Sequence, residues 1–113
     1  MAAVGTRPWE DKFDIIHTEI VVETQDLRAV RLTLAPGEEV PWHYHTDIED
    51  RFICLKGAIE VETRDPDEKH LLRPGQEAMV AIQVPHIVRN AYTGASKFMV
   101  IQGVGPYDYQ AAE

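Results

Sequence analysis

Along this chain, runs of alternating or β-branched residues are cut short by Gly, Pro or Asp before they are long enough to make a helix. Punctuation of this kind favours strands, since a strand needs roughly four to eight residues and a helix ten or more. Ile15 to Thr24 is rich in β-branched residues and reads as a first strand. In Leu27 to Leu34, Val30, Leu32 and Leu34 share one face and Ala29, Arg31 and Thr33 the other, before Ala35-Pro36-Gly37 turns the chain. Val40 to His45, Asp50 to Leu55 and Ala58 to Arg64 follow, the last two separated by Lys56-Gly57. Beyond the acidic turn Asp65 to Glu68, strands are predicted over Lys69 to Leu72, Glu77 to Ile82, His86 to Thr93 and Lys97 to Val104. About nine short strands with turns every ~8–12 residues predict an all-β sandwich or barrel. The expected organisation is an N-terminal arm over residues 1–12, a single barrel over 13–105 and an irregular tail over 106–113.

Composition narrows the function classes. A chain of 113 residues that is 44% hydrophobic can bury one core and suits one domain. Its 11 basic and 19 acidic residues give a net charge of −8, which argues against nucleic acid and anionic membranes as partners. No stretch approaches the ~20 apolar residues of a membrane helix. Cys54 is the single cysteine, so no intrachain disulfide forms, and Met1 to Trp9 has no apolar run of the signal-peptide kind. A cytoplasmic location is the expectation.

His43 and His45 lie two apart in Pro41-Trp42-His43-Tyr44-His45. Residues two apart on a strand share a face, so the two imidazoles sit side by side, a suitable spacing for two ligands of one metal. Taken alone, His-x-His fits two hydrogen-bonded or exposed histidines equally well.

The surroundings change that balance. Gly37-x5-His43-x-His45-x4-Asp50-x6-Gly57 resembles the first motif of the cupin superfamily. Further on, Pro74-Gly75-x5-Ala81-x-Gln83-x2-His86-x3-Asn90 resembles the second motif in its Gly, His and Asn. It departs from that motif where Ala81-Ile82-Gln83 stands in place of Pro-x-Gly. The resemblance implies a small single-domain, metal-binding cupin: a double-stranded β-helix, or jelly-roll, barrel. It also implies that His43, His45, His86 and one carboxylate converge on a single divalent metal near the barrel mouth. Fe, Zn, Mn and Ni all suit such a set. Counting from His45 allows Glu49 as the acid, whereas counting back from Gly57 selects Asp50. Asp50 is favoured, because loops absorb insertions more readily than strands.

If Asp50 faces inward, strand parity turns Phe52 and Cys54 inward with it, and parity from His86 does the same for Val88, Asn90 and Tyr92. These five residues are the predicted pocket lining. A plain core role competes for Phe52, Val88 and Cys54, while the hydroxyl of Tyr92 wants a partner and makes it the candidate catalytic group. Arg31 and Arg89 face outward, so no cationic substrate anchor is evident, and His17 and His70 lie outside both motifs.

The implied function is metal-dependent chemistry on a small organic molecule, either oxygenation or isomerase and lyase chemistry. The alternative is a non-catalytic small-molecule or metal-binding module. Parity turns Trp42, Tyr44, Ile53 and Leu55 away from the pocket, and Trp9, Phe13, Ile15 and Ile16 of the arm are candidates to cover them. An apolar outer face, together with the habit of small cupins to join sheet to sheet, predicts a homodimer.

Overall fold

The computed structural model describes residues 17–103 and 105–112. The arm, with Trp9, Phe13, Ile15 and Ile16, lies outside the described residues. Ten strands follow one another: β1 (His17–Glu23), β2 (Leu27–Leu34), β3 (Glu39–Tyr44), β4 (Glu49–Lys56), β5 (Ile59–Thr63), β6 (Glu68–Leu72), β7 (Glu77–Val80), β8 (His86–Asn90), β9 (Ser96–Gly103) and β10 (Gln110–Ala111). There is no helix among the described residues. The strands form two antiparallel five-stranded sheets, in the orders β1-β2-β9-β4-β7 and β10-β3-β8-β5-β6. The molecule is therefore all-β, with the jelly-roll architecture expected.

Alternation in the sequence sets the inner face of each sheet. Val30, Leu32 and Leu34 of β2, Phe52 and Cys54 of β4, and Phe98 and Val100 of β9 are buried from one side. Val40 of β3, Ile59 and Val61 of β5, and Val88 of β8 meet them from the other. Burying each large apolar side chain contributes about 1.5–3 kcal/mol, so this layer holds the sheets together. The apolar alternation gives way to Ser96 at one end of β9 and, more extensively, to polar residues at the end that holds Gln102. There the inward positions of β2, β9 and β4 are Arg28, Gln102 and Asp50, which are direct cross-strand neighbours in that order.

Two sequence expectations are corrected. The tail is not wholly irregular: Gln110 and Ala111 pair with Tyr44 and His43 at the free edge of β3. Two paired residues are too few to show alternation, so the sequence carried no sign of them. The outward residues Trp42, Tyr44, Ile53 and Leu55 do not share a face, because β3 and β4 belong to different sheets. The segment from His45 to Ile48 carries the chain across between them. Trp42 is moreover covered by Arg64, whose guanidinium lies 3.8 Å from the centre of its indole ring.

Gly37 and Gly57 both close turns with positive φ, at 83° and 76°. A Cβ at Gly37 would meet nothing within 4 Å, whereas one at Gly57 would lie 2.3 Å from Ser96 Oγ and 3.1 Å from the Ala95 carbonyl oxygen. Gly37→Ala is expected to cost about 1–2 kcal/mol, the penalty of the left-handed backbone. Gly57→Ala is expected to cost roughly twice that, because it also displaces Ser96, which bonds both Ala58 and Asn90. Urea unfolding of the two variants checks the ranking, and equal losses would show that the clash is relieved without cost.

Candidate metal centre

The two sheets contribute different chemistry to one end of the barrel. His43 stands on β3 directly opposite His86 on β8, with a register shift between Val40 and His43. His45 follows just past the end of β3, on the same side as His43. Asp50 enters from β4 in the facing sheet, with Gln102 of β9 beside it. The ligand atoms of His43, His45, Asp50 and His86 all lie within 4.8 Å of one another. None of the four residues is more than 4% exposed.

Each imidazole is oriented from behind. His43 Nδ1 lies 2.7 Å from the Pro41 carbonyl oxygen, His86 Nδ1 2.9 Å from that of Val84, and His45 Nδ1 2.5 Å from that of Asp108. A carbonyl only accepts, so each Nδ1 donates to it, and each Nε2 is turned toward the interior. Asp50 Oδ2 lies 3.0 Å from His45 Nε2 and 2.9 Å from His86 Nε2. Gln102 Nε2 donates to Asp50 Oδ1 at 3.0 Å. The tilted rings of His43 and His86 are 4.2 Å apart, and Tyr109 stacks on His43 at 4.5 Å.

The electrostatics suit a cation. Burial would raise the Asp50 carboxyl, but hydrogen bonds and charge from His45 and His86 hold it well below the usual carboxylate range. Burial, reinforced by the charges of His86 and His45, pushes His43 down to about 3. For His45 burial acts downward as well, yet the Asp50 carboxylate outweighs it and the pKa is raised. Three imidazole nitrogens and one ionised carboxylate, held in a buried pocket by partners behind them, form a donor set that could hold a divalent metal ion.

A partly open space of about 30 Å³ adjoins the cluster, walled by apolar residues including Leu32, Val40, Phe52, Val88, Phe98 and Val100. The other predicted lining residues lie elsewhere. Cys54 is fully buried one step deeper, its thiol against the Lys56 and Gly57 carbonyls, and burial pushes its pKa up. Asn90 sits at the opposite end, where its amide donates to the Leu34 and Gly94 carbonyls. Tyr92 is 52% exposed and outside the pocket. Strand β8 ends at Asn90, so parity counted from His86 does not extend to residue 92.

Glu49 is exposed on the outer side of β4, while Asp50 is buried. The sequence reading missed Gln102, Tyr107 and Tyr109, all of which line the space. Gln102 follows Phe98 and Val100 in strict alternation, a usable signal. Tyr107 and Tyr109 belong to the tail, and nothing local announces their partners. Burial raises both phenols, Tyr109 to about 12. Ala81-Ile82-Gln83, which departs from the motif, forms a tight turn in which Gln83 has φ 63° and its N–H donates to the His45 carbonyl at 2.7 Å.

This fold and site define a class: a double-stranded β-helix with a buried three-histidine, one-carboxylate cluster at one end. The Cupin domain model matches residues 30–102, more than half of the sequence, and the chain belongs to the cupin superfamily. A protein with a double-stranded β-helix domain from Klebsiella pneumoniae subsp. pneumoniae MGH 78578 is 23% identical, with a TM-score of 0.73 over 83% of this chain and 81% of that one. An RmlC-like cupin from Methanocaldococcus jannaschii is 24% identical, with a TM-score of 0.68 over 78% and 79% of the two chains. Oxalate oxidase is 16% identical with a TM-score of 0.71, over 77% of this chain and 46% of its own. This chain thus spans under half the length of oxalate oxidase, and the three likenesses are ones of fold. No curated protein sequence matches the chain.

The displaced histidine pKa has a measurable consequence. The unfolded chain takes up a proton at His43 near pH 6.5, whereas the folded chain refuses it until about pH 3. The fold is therefore destabilised as pH falls through that window. The raised pKa of His45 acts above it: that contribution is complete below ~pH 6.5 and is lost as pH rises through the folded value. The contribution of Asp50 is lost only from about pH 4 downward. The metal-free protein is expected to lose stability from about pH 6.5 to 4, with a slope of at most ~1.4 kcal/mol per pH unit. His43→Phe is expected to flatten the slope in urea titrations across that range.

Proposed function

We propose that this cupin binds one divalent metal ion through His43, His45, Asp50 and His86 and acts as a metal-dependent enzyme on a small organic molecule. The observation that carries this reading is the convergence of three backbone-oriented Nε2 atoms and an ionised carboxylate beside an apolar space. A bound ion would supply Lewis acidity, or redox chemistry if it were iron or manganese. The protein's own parts are clear from their contacts. Asp50 balances charge, Gln102 holds Asp50, and the apolar wall excludes water so that polar interactions inside act at low dielectric. Oxygenation and isomerase or lyase chemistry both fit, and the fold hosts many reactions. Oxalate oxidase and a DMSP lyase both share the fold, so these likenesses favour neither class over the other. A non-catalytic metal-binding module is the competing reading, favoured by the small internal volume beside the cluster, about 30 Å³.

The assembly is proposed to be a homodimer formed through the outer face of the β1-β2-β9-β4-β7 sheet. Cross-strand neighbours Ile53 and Met99 and the nearby Ile101 make that face apolar, with the ion pairs Arg31–Glu19 and Arg51–Glu77 among them. A cytoplasmic location is proposed with it.

Protein purified without added metal is expected to carry close to one equivalent of a transition metal. Iron would favour oxygen chemistry; zinc, manganese or nickel would leave the isomerase and lyase class open. The double variant His43→Ala, His45→Ala is expected to lose the metal altogether, and full retention would sink the assignment. Asp50→Ala is expected to weaken binding by at least ~10–100-fold, with little change for Glu49→Ala; the reverse ranking would move the acid into the loop. Sedimentation of the full chain at micromolar concentration is expected to give a dimer, which Ile53→Glu should dissociate, and a wild-type monomer would reject this face as an interface.

A further inference from the structure

We propose that Asp108, which lies outside both histidine motifs, is the positioning residue for His45. The inference rests on the metal-binding reading above and adds a component to it. His43 and His86 each lean on a carbonyl two residues earlier in their own chain segment, at Pro41 and Val84. Their orientation follows from local backbone alone. His45 has no such local support: its Nδ1–H donates to the Asp108 carbonyl, from a residue 63 positions further along.

The carbonyl is held in place by the side chain of the same residue. Asp108 Oδ1 accepts from the Thr46 backbone N–H at 2.8 Å, and Oδ2 accepts from Thr46 Oγ1 at 2.5 Å. Thr46 immediately follows His45. Residue 108 therefore grips two consecutive residues, its main chain on the imidazole and its carboxylate on the backbone just beyond. Gln110 Nε2 braces Oδ2 from outside at 3.2 Å. The flanking rings are seated on the same group of histidines. Tyr109 stacks on His43, and Tyr107 lies 5.4 Å from His45 with the Arg28 guanidinium 4.2 Å from its ring centre. Strand β10 then continues along β3, and the Ala112 N–H donates to the Trp42 carbonyl.

The chemistry follows from the tautomer. An acceptor fixed at Nδ1 keeps the proton there and turns the Nε2 lone pair toward the cluster. Without the Thr46 clamp the Asp108 carbonyl loses its direct hold beside His45, the one imidazole of the three whose orientation depends on it.

The test uses the full chain with zinc ion as the probe. Affinity is read by competition with a chromophoric chelator. Solvent exchange of the three Nδ1–H protons is read by nitrogen-edited NMR of the zinc-loaded protein. Asp108→Ala is expected to lower zinc affinity by ~10–100-fold, the scale for losing an outer partner of a ligating histidine, and to speed exchange at His45 alone. Asp108→Asn keeps an acceptor oxygen for Thr46 and is expected to recover much of the loss. Unchanged affinity in Asp108→Ala, equal acceleration at all three histidines, or an Asn variant no better than Ala would each overturn the proposal. If Asp108→Ala does not fold, Thr46→Val removes only the hydroxyl bond and is expected to give a smaller loss confined to His45; no change there would overturn it too. A wild-type chain that takes up no zinc would overturn the metal reading itself, a result distinct from the others.

Discussion

The charge on Asp50 sits where the two sheets have shut out water, and much of the surrounding architecture answers to it. An isolated carboxylate in such a place costs several kcal/mol or more, so it persists only with partners on both oxygens. Here Oδ2 faces the Nε2 atoms of His45 and His86, and Oδ1 takes the amide of Gln102. Those partners reach it because the register of β4 against β9 places Gln102 directly opposite. The next strand, β2, adds Arg28 to the same layer. One end of the sandwich is thereby committed to polar groups, and replacing Gln102 alone would leave Asp50 Oδ1 without its amide partner.

The sequence disclosed what alternation and local spacing can encode. Val30, Leu32 and Leu34 announced an inward face, and His43 and His45 announced a shared side of one strand. The count back from Gly57 singled out Asp50, because backbone pairing holds a strand's parity while a loop does not. What stayed hidden was whatever depends on where a strand stops or on a partner far along the chain. Parity from His86 holds only as far as Asn90, where β8 ends, and so does not reach Tyr92. Cys54 shares the inward face of Phe52 but lies deeper, since alternation says nothing about distance along the barrel axis. Tyr107, Asp108 and Tyr109 are legible only after the fold brings residue 108 back to residues 45 and 46.

The turn before His86 shows that a motif encodes conformation before it encodes residue type. Gln83 occupies the position where the resembling motif has glycine, and it adopts the left-handed conformation that glycine would take freely. For a glutamine this costs about 1 kcal/mol or more. The return is a short bond from its N–H to the His45 carbonyl. The departure that weakened the sequence match therefore left the local geometry intact, and His86 with it.

The closing segment also imposes an order on how the site is assembled. All four metal-capable side chains lie between residues 43 and 86, whereas the segment that backs His45 and seats two aromatic rings on the histidines is made of residues 105–112. Strand β9, which occupies the centre of its sheet, and this closing segment are therefore the last parts the site needs: without them Asp50 lacks the Gln102 amide and His45 lacks the acceptor behind its ring.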